Sequence, residues 1–393
     1  MQKANDRTDN IIAVALALIV YIPATQIGII IRLAVVFVAY VMKHTNEGSD
    51  PGIRKIALCM VLSPFVSVFF VLLMESSANW ELVIHEVQRM VFCALLLMTV
   101  TKMKVSFRMI YIITILVLIP NFIIQLLQRA HVESVFTFIR NTYESGASAE
   151  EWTHLDLARD EGGSFRSGSI FINPNVYMVI PLMALVVFLH QDREKSSILN
   201  YFLMGCAVYS CFLTGSRTAT IVMAVMMVWY IVKYARTFSK VFLITAIIAV
   251  AINYGSVIMS SRSSKIFEPG SFEVKYKSFL CYWESTKETF IYWFTGSLGS
   301  KTAFSGMDGE LGHIYGWYGV FGVYWYILYY KYAFKKNKDL KFYNKPMSAV
   351  HLFVAMTASV LLCMPVYSFA AILIFTDRSQ KTISQDIGVP DEI

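Results

Sequence analysis

The sequence predicts an all-α polytopic membrane protein, a single domain over residues 1–393 with 10–12 transmembrane helices and two larger loops. Three observations lead there. The chain is 56% hydrophobic and 16% charged, with a mean hydropathy of +0.55, whereas a soluble domain holds about 25% charged residues. Its charges cluster between apolar runs of roughly 17–25 residues, the length that crosses a hydrocarbon core of about 30 Å as helix. The short connections on one side are basic, those on the other are not.

The runs fall at about 11–42, 54–74, 86–101, 107–127, 168–190, 197–213, 218–233, 240–258, 313–331 and 347–376. The first is long for one span and contains Pro23 and Gly28, so it reads as two short helices meeting near YIPATQIG or as one tilted helix. The last, with Pro365 inside, carries the same ambiguity. The polar start MQKANDRTDN is followed by an apolar stretch without a small-residue cleavage site, which predicts a retained membrane segment.

Orientation follows from Lys and Arg in the short loops. TKMKVSFR (101–108), QDREK (191–195), KYARTFSK (233–240) and KYAFKKNKDLKFYNK (331–345) fall on one side by alternation, which is expected to be cytoplasmic. The outer side then receives 75–85, a charged loop at 128–167, the turn 214–217 and a large aromatic loop at 259–312. Within the latter, 280–294 reads as an amphipathic helix at the bilayer surface. The +7 net charge resides mostly in cytoplasmic loops, so it does not point to nucleic acid. The spans themselves are expected to be nearly free of charge.

Some chemistry is excluded. There is no GxxxxGK[ST], GxGxxG or HExxH pattern, so no ATPase, dinucleotide enzyme or zinc hydrolase is indicated. The six cysteines show no CxxC pairing, five lie in apolar runs, and they read as small buried residues rather than metal ligands.

Two stretches at the outer ends of consecutive helices suit an anion. In RSGSIFINPN (166–175), Asn173 is a good N-cap and Pro174 fits the first helical position. SGSIF is then expected to dip into the membrane as non-helical backbone. In LTGSRTA (213–219), Gly215 and Ser216 make a tight turn, and Ser216 can cap the next helix. Helix N-termini offer free N–H groups and partial positive charge, and arginine adds a fork suited to phosphate oxygens. Arg166, Arg217, Asn173, Asn175 and Ser216 are therefore the candidate diphosphate-binding set. The plainer reading, an Arg217 that snorkels to headgroups and a solvated Arg166, stays open at this stage. Arg140, Arg159 and Arg262 read as solvated loop charges.

A third patch, TGSLGSKTAFSGMDGELGHIYGWYGVFGVYWYILYY (295–330), is rich in glycine up to residue 322 and carries Asp308, Glu310 and His313, the last where the chain re-enters the bilayer. Titratable groups at that boundary are readily shifted toward neutrality and can take a proton from a hydroxyl. The bland alternative is a loop end with a capping histidine.

Together these patches resemble the O-antigen polymerase and ligase superfamily of bacterial membrane glycosyltransferases, by motif over about 160–330. The resemblance implies a glycosyltransferase-C-like fold acting at the outer face of the bacterial cytoplasmic membrane. It implies undecaprenyl diphosphate-linked sugars as substrate and neither metal, nucleotide nor other cofactor. By motif match, Arg166 and Arg217 would hold the lipid diphosphate and His313 would act as base, with Glu310 and Asp308 as alternatives. Ligase patterns often read His-Asn here, and this chain has His313-Ile314. The expected activity is polymerisation of lipid-linked repeat units for capsule, exopolysaccharide or O-antigen. Transfer to another acceptor, as in a ligase, or flipping of a lipid-linked glycan are the alternatives. Membrane lipids, a chain-length regulator and a flippase of the same pathway would be its partners, and nucleic acid would not.

Overall fold

A computed structural model describes residues 2–23, 25–44, 50–143, 166–171, 173–235, 237, 239–245, 248, 270–303, 309–335, 341–356, 361 and 363–377. The described part is a helical bundle. Its helices are α1 (Gln2–Leu18), α2 (Gln26–His44), α3 (Pro51–Glu75), α4 (Trp80–Val100), α5 (Phe107–Arg129), α6 (Glu133–Tyr143) and α7 (Pro174–Glu194). They continue as α8 (Ile198–Leu213), α9 (Arg217–Lys233), α10 (Gly270–Thr286), α11 (Ile291–Thr295), α12 (Glu310–Lys335), α13 (Lys341–Ala355) and α14 (Met364–Phe375). By length and composition, α2, α3, α4, α5 and α7 can each cross a membrane, and α8 and α14 are shorter apolar helices.

Short polar side chains start the helices where the sequence leaves backbone N–H groups unpaired. Asp50 accepts from Gly52 N at 2.7 Å, Asn79 from Leu82 N at 3.3 Å, Ser106 from Met109 N at 3.3 Å and Ser197 from Asn200 N at 3.1 Å. Outward faces stay apolar, as with Phe65, Phe69 and Leu73 on α3. That is the expected inversion when the surroundings are lipid rather than water.

The four basic loops gather at one end of the bundle. Phe107 packs edge-on against His190 at 4.6 Å, and His190 against Tyr343 at 5.6 Å. Asp192, fully buried, accepts from Tyr230 at 2.8 Å and Ser239 at 2.6 Å. At this end Asp9 pairs with Lys43, and Val105 N donates to Asp377 O at 2.8 Å. The first apolar run is thus two helices: α1 starts and α2 ends here, and they join through a 3₁₀ turn at Ile19–Tyr21. The last run is also two, α13 and α14, about 22 and 18 Å long, each short of a full crossing.

Two further departures from the sequence reading shape the site. The span expected at 313–331 is not one straight helix: α12 folds sharply within it at Gly319 (φ 58°, ψ −149°). Beyond the bend Gly322 lies against Ile314, whose carbonyl oxygen is 2.8 Å from where a Cβ would stand, and Tyr326 pairs with Glu310. Charge is also not confined to loops. Arg32 and Glu86 lie buried inside expected spans: Glu86 pairs with Arg89 and Tyr318, and Arg32 donates to the Ile22 carbonyl.

The large loop is clamped onto α3. Glu75 accepts from Tyr292 Oη at 2.8 Å, Lys301 N at 2.9 Å, Thr302 Oγ1 at 2.7 Å and Ser300 Oγ. Leu298 N donates to Ser67 Oγ at 2.9 Å, deeper on the same helix. The Tyr292 phenol is pushed well above its usual value, first by burial and then by this carboxylate. Glu75→Ala would leave four donors without their acceptor, at a cost of about 2–4 kcal/mol. The expected result is a lower unfolding temperature and faster proteolytic cleavage within 291–303; unchanged cleavage would show the clamp to be dispensable. The amphipathic expectation at 280–294 corresponds to α10 and α11. There Tyr276, Phe279, Trp283, Phe290 and Phe294 are exposed, while Tyr282 is buried and donates to Tyr292 O at 3.1 Å.

Candidate functional site

The segment before α7 is non-helical and buried, as its sequence predicts: Ser167, Ser169 and Ile170 are at most 3% exposed, and Gly168 between them is buried. Backbone at this depth needs partners, and α5 supplies them. Gln125 Nε2 donates to Ser167 O and Gln128 Nε2 to Ser169 O, both at 3.2 Å. Ser169 Oγ donates to Asn121 Oδ1 at 2.7 Å. Asn121, Gln125 and Gln128 recur at i, i+4 and i+7 in an otherwise apolar helix. That polar stripe was visible in the sequence, and a motif search passes over it.

The two expected anion stretches do meet. Ser167 N donates to Leu213 O at 2.8 Å, and Arg166 donates through Nε to Thr214 O at 3.5 Å and through Nη2 to Asn175 Oδ1 at 3.0 Å. Asn173 caps α7 through Asn175 N at 2.9 Å. Ser216, buried, caps α9 through Ala219 N at 3.4 Å, and Gly215 makes the tight turn with φ 58°. Arg217 is the first residue of α9 and is exposed. Arg166, Asn175, Ser216 and Arg217 thus lie at the same end of the bundle, opposite the basic loops, and that end is called the mouth below. Arg159 and Arg262 lie outside the described residues.

A cavity of about 370 Å³ lies behind this mouth, and none of those four residues lines it. Its polar lining is Arg32 from α2, His85, Glu86 and Arg89 from α4, Tyr143 from α6 and Asn173. Cys363, Met364 and Pro365 close it with the first turn of α14. The stretch 166–176 therefore serves both places, Asn175 holding Arg166 while Ile170, Phe171 and Asn173 face the cavity. Sequence reasoning missed Arg32 and Arg89. Their signal was simple, one arginine inside each of two apolar helices.

The proposed bases stand by Arg89. Arg89 pairs with Glu86, whose other oxygen accepts from Tyr318 Oη, and its guanidinium lies 4.9 Å from the Trp317 ring. His313, half-buried, packs against that ring at 5.1 Å. Glu310 is fully buried, accepts from Leu361 N through Oε2 and lies within electrostatic reach of Arg89. Asp308 lies outside the described residues.

Among the described residues no group of three or more His, Cys, Asp and Glu is placed to hold a metal ion. The cysteines are free thiols, with Cys281 exposed, Cys363 half-buried and the other four buried. Neither a protein-family model nor a curated protein matches this chain.

Proposed function

We propose that this membrane protein is a polysaccharide polymerase. In this reading it joins undecaprenyl diphosphate-linked repeat units at the outer face of the bacterial cytoplasmic membrane, on a glycosyltransferase-C-like scaffold. The observation that carries the reading is the junction of RSGSIFINPN with LTGSR, where Arg166 is tied to Thr214 and Asn175 beside the capped start of α9. Cationic forks beside helix N-termini are what a lipid diphosphate requires. The basic end of the bundle faces the cytoplasm by the excess of Lys and Arg in short loops, so the mouth opens outward.

A hydroxyl of one lipid-linked unit attacks the anomeric carbon of the other. The carbon–oxygen bond to diphosphate breaks, its electron pair leaves with the diphosphate, and the hydroxyl proton passes to His313, Glu310 or Asp308. Charge that grows on the leaving group is what fixed cations stabilise.

The test is a purified-protein assay in nanodiscs with synthetic lipid-linked repeat units, comparing wild type with Arg217→Ala and Arg166→Ala. A ladder of longer glycans is expected from wild type, with the rate falling roughly 10²-fold or more in each variant. An Arg217→Ala protein that polymerises normally would remove that residue from the site. No ladder, but transfer once another acceptor is added, would identify a ligase. Silence with every acceptor would favour movement of the lipid-linked glycan across the membrane.

A further inference from the structure

Arg32 is the least expected charge in the molecule. It sits inside an apolar helix, its residue is 4% exposed, and it faces the cavity. Its guanidinium donates from Nη2 to Ile22 O, while Nε has no hydrogen-bond partner. No carboxylate pairs with it among the described residues. A guanidinium cannot shed its proton to escape burial, and a buried charge without a counter-charge is strongly unfavourable. The neighbouring groups do not compensate. Glu86, the acid in the cavity lining, is engaged by Arg89 and Tyr318, and His85 and Tyr143 bring no negative charge at neutral pH. On the facing wall, α14 begins at Met364 with Pro365 in its first turn, presenting the positive end of a helix to the same space.

We propose that this cavity is an anion site that takes a phosphate-type oxyanion, ideally a diphosphate, between Arg32 and Arg89 over the first turn of α14. It is separate from the Arg166–Arg217 mouth, with residues 166–176 between the two. The binding itself stands on Arg32. Its role rests on the polymerase reading: joining two lipid-linked units needs two diphosphates held at once. His313 and Glu310 stand by Arg89, and a base takes its proton from the attacking hydroxyl, so this is the site for the acceptor unit's diphosphate, and the mouth keeps the diphosphate that leaves.

Cys363 lines the cavity and reports on it directly. The experiment uses the full chain with Cys281→Ser, in nanodiscs of phosphatidylcholine, and follows the rate of alkylation of Cys363. Three probes are compared: inorganic pyrophosphate, farnesyl diphosphate, and phosphatidylglycerol mixed into the nanodisc. Both diphosphates are expected to slow alkylation at least about fivefold. The protection is expected to vanish in Arg32→Gln and to persist, weakened, in Arg32→Lys. Arg32→Lys also covers the case in which the glutamine variant fails to fold. Absence of protection in wild type, or equal protection in Arg32→Gln, would overturn the site. Protection by phosphatidylglycerol but not by the diphosphates would make it a bulk-lipid headgroup site and overturn the diphosphate assignment. No turnover is required. Protection without a glycan ladder would keep the anion site and sink the polymerase reading, and a ladder without protection would do the reverse.

Discussion

Gly319→Ala is expected to be among the most damaging single substitutions in the chain, lowering stability by about 2–5 kcal/mol. At φ 58° and ψ −149° this residue occupies backbone space that is essentially reserved for glycine. A Cβ there would stand 2.4 Å from the carbonyl carbon and oxygen of Phe294 and 2.7 Å from Gly296 N. None of these is a flexible side-chain end that could turn away. Gly296, itself at φ 77°, has the Trp317 carbonyl oxygen 2.1 Å from its own Cβ position, so the two backbones touch and neither can retreat. The bend is also what brings Glu310 to Tyr326 and Trp317 to Arg89. The variant should therefore unfold at lower temperature and lose glycan synthesis together. As a control, Val320→Ala next to it is exposed and should change stability by no more than about 0.5 kcal/mol. A Gly319→Ala protein with wild-type melting would mean that α12 does not fold back here.

Glu310→Gln is the second, and it separates chemistry from folding. Glutamine keeps an oxygen for Leu361 N–H and nearly the same volume, so the turn at residue 361 retains its partner. What is lost is the capacity to take a proton. If Glu310 is the general base, the ladder assay should slow by roughly 10²–10⁴-fold, while pyrophosphate still protects Cys363 at the wild-type level. Equal loss of both readouts would assign Glu310 to the architecture of the anion site instead. Wild-type synthesis by Glu310→Gln would leave the proton to His313 or Asp308. His313→Gln is then the next variant, because His313 reaches the same region through Trp317.

Several parts of the site were legible in the amino-acid sequence. The non-helical SGSIF, the Asn173 cap before Pro174 and the Gly215–Ser216 turn each follow from local chemistry within a few residues. The meeting of Arg166 with Thr214 follows from alternation of spans, since two helix ends on one side are neighbours when the connection is short. Arg32 and Arg89 were legible as exceptions in apolar runs, yet their proximity was not. Residues 32, 89 and 363 share one cavity only because α2, α4 and α14 converge there.

What the sequence by itself determined is the helical, lipid-facing architecture and the grouping of four basic loops at one end. Both come from forces that act along the chain at short range: lipid forbids unpaired backbone, and span length and loop charge repeat with every crossing. What only the tertiary structure decided is where the chain breaks those repeats. The fold-back at Gly319 depends on contact with Phe294 and Gly296, and the halt between α13 and α14 brings Leu361 N onto Glu310. Such turns depend on backbone approach between distant segments, and close approach leaves no period in a sequence. The buried Arg32 belongs to the same class, because whether a guanidinium meets a carboxylate or an empty space is settled by packing alone.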